Sequence, residues 1–169
     1  MIVLQVLNGL TFAALLFVVA SGFTLIFGLL RIVNLAHGAL YLLGGYVGFT
    51  VAAQTGSFIL GGVTALAAAA AAGWVLYEGL LRFVQGHDLR QVLLTLGVAF
   101  VTNDLALVVW GGDTLTVPIP ETLRGAVPIF GVFYPTYRLF VLIAGCLIFV
   151  ALWVLLEHTR IGALIRRCR

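Results

Sequence analysis

The sequence contains no lysine and only two serines, Ser21 and Ser57, in its 169 residues. Without lysine the chain cannot form a Walker A phosphate loop, a Schiff base or a Ser-Lys catalytic pair. Neither serine lies in a Gly-x-Ser-x-Gly elbow, which removes the serine-hydrolase reading. The three histidines, His37, His87 and His158, stand far apart with no HExxH, CxxC or paired carboxylates, so no metal site is expected and no catalytic residue is assigned. Of the two cysteines, Cys146 falls inside an apolar run and Cys168 in a basic tail, and no disulfide is expected. Charged residues make up 9% of the chain, against about 25% in soluble domains.

What is present is apolar surface. Hydrophobic residues account for 63% and mean hydropathy is +1.20. The apolar runs are close to the ~20 residues a helix needs to cross a bilayer. Spans are predicted at Leu4 to Leu30, Leu35 to Ala53, Phe58 to Leu81, Val92 to Gly111 and Leu139 to Leu156. Alternating ten-residue strands are missing, and open sheets leave backbone groups unpaired in lipid. The expected fold is all-α: one polytopic membrane domain over residues 1–169 with about five transmembrane helices. The N-terminal stretch lacks a basic leader and runs too long for a signal peptide, so it reads as a retained first span.

All nine basic residues are arginines at the ends of apolar runs, where they act as topology signals rather than a nucleic-acid surface. With the N-terminus outside, inner segments carry Arg31, Arg82, Arg90, Arg160, Arg166, Arg167 and Arg169, and outer ones carry Arg124 and Arg138. Seven against two favours N-out and C-in. Residues 112–138 then face outward and hold all four prolines, which favours extended, turn-rich structure over a further span. Such a loop is either a docking surface, with Asp113, Glu121 and Arg124 as its charges, or a simple tether. Small residues mark helix-packing faces: Gly38, then the Gly44/Gly48 pair, and a smooth stretch from Gly61 to Gly73.

Polar residues inside this apolar chain need a reason. Arg31, Asn34 and His37 are spaced i, i+3, i+6 and share one face if helical. One reading makes Asn34 and His37 a polar lining at a broken helix, on the translocation path or its gate. The other makes Asn34 a cap ending one helix and Gly38 the start of a looser one. Asp104 lies well inside the fourth run, where a carboxylate either serves function or is satisfied by neighbouring helices.

The stretch "ASGFTLIFGLLRIVNLAHGALYLLGGYVG", Ala20 to Gly48, resembles the membrane permease subunits of ABC importers for branched-chain amino acids, above all in Asn34, Ala36, His37 and Gly38. The order of "TLGVAF", "WGGD", a proline-bearing loop, "YRLFV" and "TRIGALIRR" is similar too, so the resemblance covers essentially the whole chain. It implies a pore-forming subunit of the bacterial inner membrane, working with ABC ATPase subunits, a second and often different permease, and an extracytoplasmic substrate-binding protein. ATP is then used by the partners, and no cofactor is expected in this chain. Urea or short-amide importers share the same Asn-x-Ala-His-Gly region and are the alternative substrate class. Relatives continue past "TRIGALIRR" into a cytoplasmic coupling helix, which makes Arg160, Arg166 and Arg167 the approach to the ATPase contact. The 169 residues are therefore expected to be an N-terminal portion that inserts but does not itself support uptake. A non-transporting scaffold, or an intramembrane enzyme or redox protein using His37 and Asp104, are the readings from other classes.

Overall fold

The computed structural model describes residues 2–30, 32–117, 120, 123–129 and 131–158. Five long helices make up most of these: α1 (Ile2–Leu30), α2 (His37–Thr55), α3 (Phe58–Gly79), α4 (Asp88–Trp110) and α5 (Thr136–His158). An antiparallel ribbon of β1 (Ala126–Ile129) and β2 (Val132–Pro135) precedes α5. The architecture is that of an all-α, multi-pass membrane protein. Four helices, α1, α3, α4 and α5, are long and apolar enough to cross a bilayer. The second expected span is a 19-residue helix, but it falls outside that group because His37, Tyr41, Tyr46, Thr50 and Gln54 interrupt its apolar surface.

Helix ends follow local chemistry rather than hydropathy. Gly56, at φ 67°, ends α2 by donating its N–H to the Ala52 carbonyl at 2.9 Å. Ser57 then caps α3 by accepting the Leu60 N–H, so two residues reverse the chain. α4 begins at Asp88, four residues before the expected Val92, because an acidic residue suits the first turn of a helix whether or not lipid surrounds it. Gly111, at φ 79°, closes α4 on the Leu107 carbonyl.

The fold divides into two compact units. One holds α1, the ribbon and α5. Asn8 accepts a hydrogen bond from Arg138, Gly145 lies so close to α1 that a Cβ there would stand 2.8 Å from that of Ala14, and Phe17 meets Phe149 edge-on at 5.4 Å. Since both members of these pairs advance together along the sequence, α1 and α5 run parallel. Pro128 and Pro135 sit in the two-stranded ribbon, where each strand is an edge and a lost donor does no harm. Tyr134 on β2 is 0% exposed, and its hydroxyl reaches Thr11 Oγ1 at 2.8 Å and the Leu7 carbonyl at 3.1 Å, fastening the ribbon to α1. Cys146 is a free, exposed thiol on α5, and Cys168 lies outside the described residues.

The second unit holds α2, α3 and α4. Its closest contact is between α2 and α3, where Gly44 and Gly48 face Gly61, Ala65 and Ala69. A Cβ on Gly48 would stand 2.7 Å from the Gly61 carbonyl oxygen, and one on Gly44 would stand 2.9 Å from that of Ala65. The alanine-rich run is therefore the counter-surface to the glycine pair. Gly38 takes no part: it is exposed, with no atom within 4 Å of where a Cβ would be. α2 and α4 run parallel, joined near one end through Leu35 and Thr95 and near the other through Thr50 and Trp110. There Tyr46 stacks on Trp110 at 5.0 Å, and Trp110 Nε1 donates to Thr50 Oγ1 at 2.8 Å.

Candidate functional site

Residues 32–36 form no regular helix, so Asn34 and His37 do not share a helical face. Burial alternates along the segment instead: Ile32, Asn34 and Ala36 are buried, while Val33 and Leu35 are not. A buried non-helical connection needs partners for its freed backbone groups, and it has them. Asn34, 6% exposed, accepts the Ala36 N–H with its side-chain oxygen at 3.0 Å, and its carbonyl accepts the His37 N–H at 3.3 Å. Asn34 thus shapes the entry into α2, as an Asx turn does.

From across the unit, α4 supplies the other partner. Thr95, 0% exposed, accepts the Leu35 N–H on Oγ1 at 3.1 Å, and the same oxygen lies 3.4 Å from the Val33 carbonyl. Its nearest acceptor is the Gln91 carbonyl, one turn back, at 2.8 Å. Gln91 is 2% exposed; its Nε2 donates to the Val84 carbonyl at 3.3 Å, and its Oε1 has no partner among the described residues. Sequence reasoning singled out neither Thr95 nor Gln91, although Thr95 opens the quoted "TLGVAF".

Asp104 does not join this cluster. It lies nine residues beyond Thr95, about 13 Å along α4 and about 180° around it. Ala106, close to the angular position of Thr95, is buried, whereas Asp104 and Asn103 are exposed among Phe100, Val101 and Val108. Asp113 and Arg124 are exposed in the segment before and at the foot of the ribbon; Glu121, Arg160, Arg166 and Arg167 lie outside the described residues. No three His, Cys, Asp or Glu side chains gather among the described residues.

Helices of lipid-crossing length, and a non-helical connection whose backbone is satisfied by buried side chains, define a multi-pass membrane protein. Residues 5–169 match the family described as branched-chain amino acid transport system / permease component, and the chain belongs to that family. It is 27% identical over 180 residues to the high-affinity branched-chain amino acid transport system permease protein LivH of Escherichia coli K12. It is 24% identical over 177 residues to the LivH protein of Salmonella typhimurium, and 23% over 180 residues to the permease protein BraD of Pseudomonas aeruginosa. Each comparison covers 97% of this chain and 58% of the relative, so the chain spans little more than half the length of these proteins. No solved structure matches it. As a member of this family it is a multi-pass protein of the inner membrane and a transporter component rather than a classical enzyme.

Proposed function

We propose that the chain forms part of the membrane path of an ABC importer for branched-chain amino acids. The observation that carries this reading is the family match over residues 5–169, supported by relatives whose names specify that substrate class. ATPase subunits in the cytoplasm supply the energy, consistent with a lysine-free sequence that has no Walker A loop. A second permease completes the path, and an extracytoplasmic binding protein delivers the substrate.

In this reading the connection at 32–36 lines or gates the path, with Asn34 holding its shape and His37 bonding through its ring. Asp104 sits on the face of α4 that the unit leaves uncovered, where a carboxylate has no place in hydrocarbon. It lines the path or meets a partner helix. Asp113, Glu121 and Arg124 steer the binding protein, and Arg160, Arg166 and Arg167 lead toward the ATPase contact.

The test is uptake of labelled leucine, isoleucine and valine in proteoliposomes holding a full-length permease that contains these residues, its ATPase subunits, the second permease and the binding protein. Uptake should require ATP and the full-length permease, and the 169 residues alone in its place should not support it. Transport of urea or a short amide in place of the three amino acids would overturn the substrate assignment. Charge reversal at Asp113 and Arg124 should change the association rate of the binding protein and its salt dependence more than membrane insertion.

A further inference from the structure

We propose that Thr95 is the positioning residue for the connection between α1 and α2, acting on Asn34 and His37 through the backbone on either side of Asn34. The proposal rests on the reading that this connection lines or gates the path. It begins from the inventory of one hydroxyl group: one proton and two lone pairs. Four backbone groups lie within reach of Thr95 Oγ1. The Leu35 N–H donates to it at 3.1 Å, and the carbonyls of Gln91, Val92 and Val33 lie at 2.8, 3.2 and 3.4 Å.

The single proton goes to the nearest acceptor, the Gln91 carbonyl of its own helix, and a lone pair is left to take the Leu35 N–H. The resulting relay runs from Leu35 N–H through the Thr95 hydroxyl to the Gln91 carbonyl. It ties a peptide unit of the connection to a turn of α4, sixty residues away in sequence. Rotation about the Cβ–Oγ1 bond can redirect the proton toward the Val33 carbonyl while the oxygen stays beside the Leu35 N–H, so the hydroxyl has a use for the connection in either orientation.

Asn34 lies between the two backbone groups that face Thr95. Its side chain and carbonyl in turn fix the N–H groups of Ala36 and His37. A shift at Leu35 is therefore passed to the first residue of α2, and with it to the base of the His37 side chain. Valine has nearly the shape of threonine, but it would place a methyl group where an oxygen now sits 3.1 Å from the Leu35 nitrogen. It can neither accept that proton nor approach so closely. Serine keeps the oxygen and loses only the methyl.

Two measurements on Thr95→Val and Thr95→Ser test this. The first is amide hydrogen exchange over residues 32–40 of the purified chain in nanodiscs. Thr95→Val should speed exchange at Leu35 about tenfold, with a smaller rise at Ala36 and His37, while Thr95→Ser keeps the native pattern. The second is amino-acid uptake by the assembled importer, normalised to the amount of complex. Thr95→Val should lower the maximal rate several-fold, and Thr95→Ser should restore it. If Thr95→Val does not assemble, Thr95→Ala, which adds no methyl against the backbone, replaces it in both measurements.

Native exchange in the valine or alanine variant would overturn the proposal. So would faster exchange with undiminished uptake, or a serine variant as impaired as valine. Absence of uptake in the native importer would instead defeat the transport reading, and the exchange measurement alone would then decide whether Thr95 places the connection.

Discussion

Replacing Gly48 by alanine tests whether α2 and α3 meet through a true close approach. The new Cβ would stand 2.7 Å from the Gly61 carbonyl oxygen and 2.8 Å from the Ala65 Cβ, where ordinary contact begins at 3.4 Å. A backbone carbonyl cannot rotate out of the way, so α3 must retreat by about 0.7 Å. That retreat also loosens the contacts at Gly44 and Gly61, which belong to the same seam. Overpacking of this kind costs about 1–3 kcal/mol. Gly45 provides the control, because it is exposed with nothing within 4 Å of its Cβ position. Alanine there relieves the extra chain freedom of glycine and should stabilise the helix by about 0.5–1 kcal/mol. The two substitutions, three residues apart on one helix, should therefore differ by about 1.5–4 kcal/mol with opposite signs. Reversible unfolding in mixed micelles, followed by loss of helicity, reads the difference. A Gly48→Ala protein as stable as Gly45→Ala would refute the close approach.

Tyr134→Phe should release the ribbon from α1 at a cost of about 1–2 kcal/mol, because Thr11 keeps its bond to the Leu7 carbonyl but loses the phenol. Faster amide exchange over residues 126–135 with α1 unchanged is the expected signature, and native protection would contradict it. Trp110→Phe keeps an aromatic ring over Tyr46 but leaves Thr50 without its donor, for a loss of about 0.5–1.5 kcal/mol. Trp110→Leu should cost more in the same unfolding assay by removing the stack as well. His37→Gln should retain most uptake in the assembled importer, since an amide still donates and accepts, whereas His37→Leu should impair it; equal loss in both would point to proton chemistry.

The helices were legible because crossing a bilayer demands long apolar runs, and nothing else in a chain of this size requires them. Their ends were not. α4 starts at Asp88 because helix formation needs backbone partners and a favourable first-turn charge, whereas hydropathy marks only the part that lipid touches. Gly44 with Gly48 and the stretch from Gly61 to Gly73 could each be read as a packing face, but that the two meet could not, since small residues do not say which helix they face. Thr95 was illegible for a related reason. A threonine in a membrane helix routinely bonds the carbonyl four residues back, and this one does so too. What sets it apart is Leu35, and no spacing rule connects positions sixty residues apart. Asp104 was conspicuous from the start, yet its separation from Asn34 and His37 depended on which face of α4 is packed.

Whether α2 crosses the membrane decides the topology, and helix direction argues that it does. By composition alone α2 stands outside the four apolar spans. The charge count hardly discriminates: with α2 crossing, arginines divide seven to two between the sides, and without it six to three. Packing is more decisive. α2 lies alongside α4 from Leu35 opposite Thr95 to Thr50 opposite Trp110, a stretch of fifteen residues or about 22 Å on each helix. A helix that runs parallel to a spanning helix over that distance spans with it. Its polar residues are tolerable because α3 and α4 replace lipid on much of its surface: Tyr46 and Thr50 face Trp110, and the Gly44 and Gly48 stripe faces α3. The other unit gives an independent check. α1 and α5 run parallel, as Asn8 with Arg138, Ala14 with Gly145 and Phe17 with Phe149 require. Two spanning helices can be parallel only if an odd number of crossings separates them, and α3 and α4 alone make two. The N-terminus and the 80–87 connection should therefore lie on opposite sides of the membrane, with the N-terminus outside. Single cysteines placed at Gln5 and at Gln85 in a cysteine-free background, labelled with an impermeant maleimide in intact cells, distinguish the cases. Labelling of the first alone is expected, and equal labelling of both would remove α2 from the list of spans.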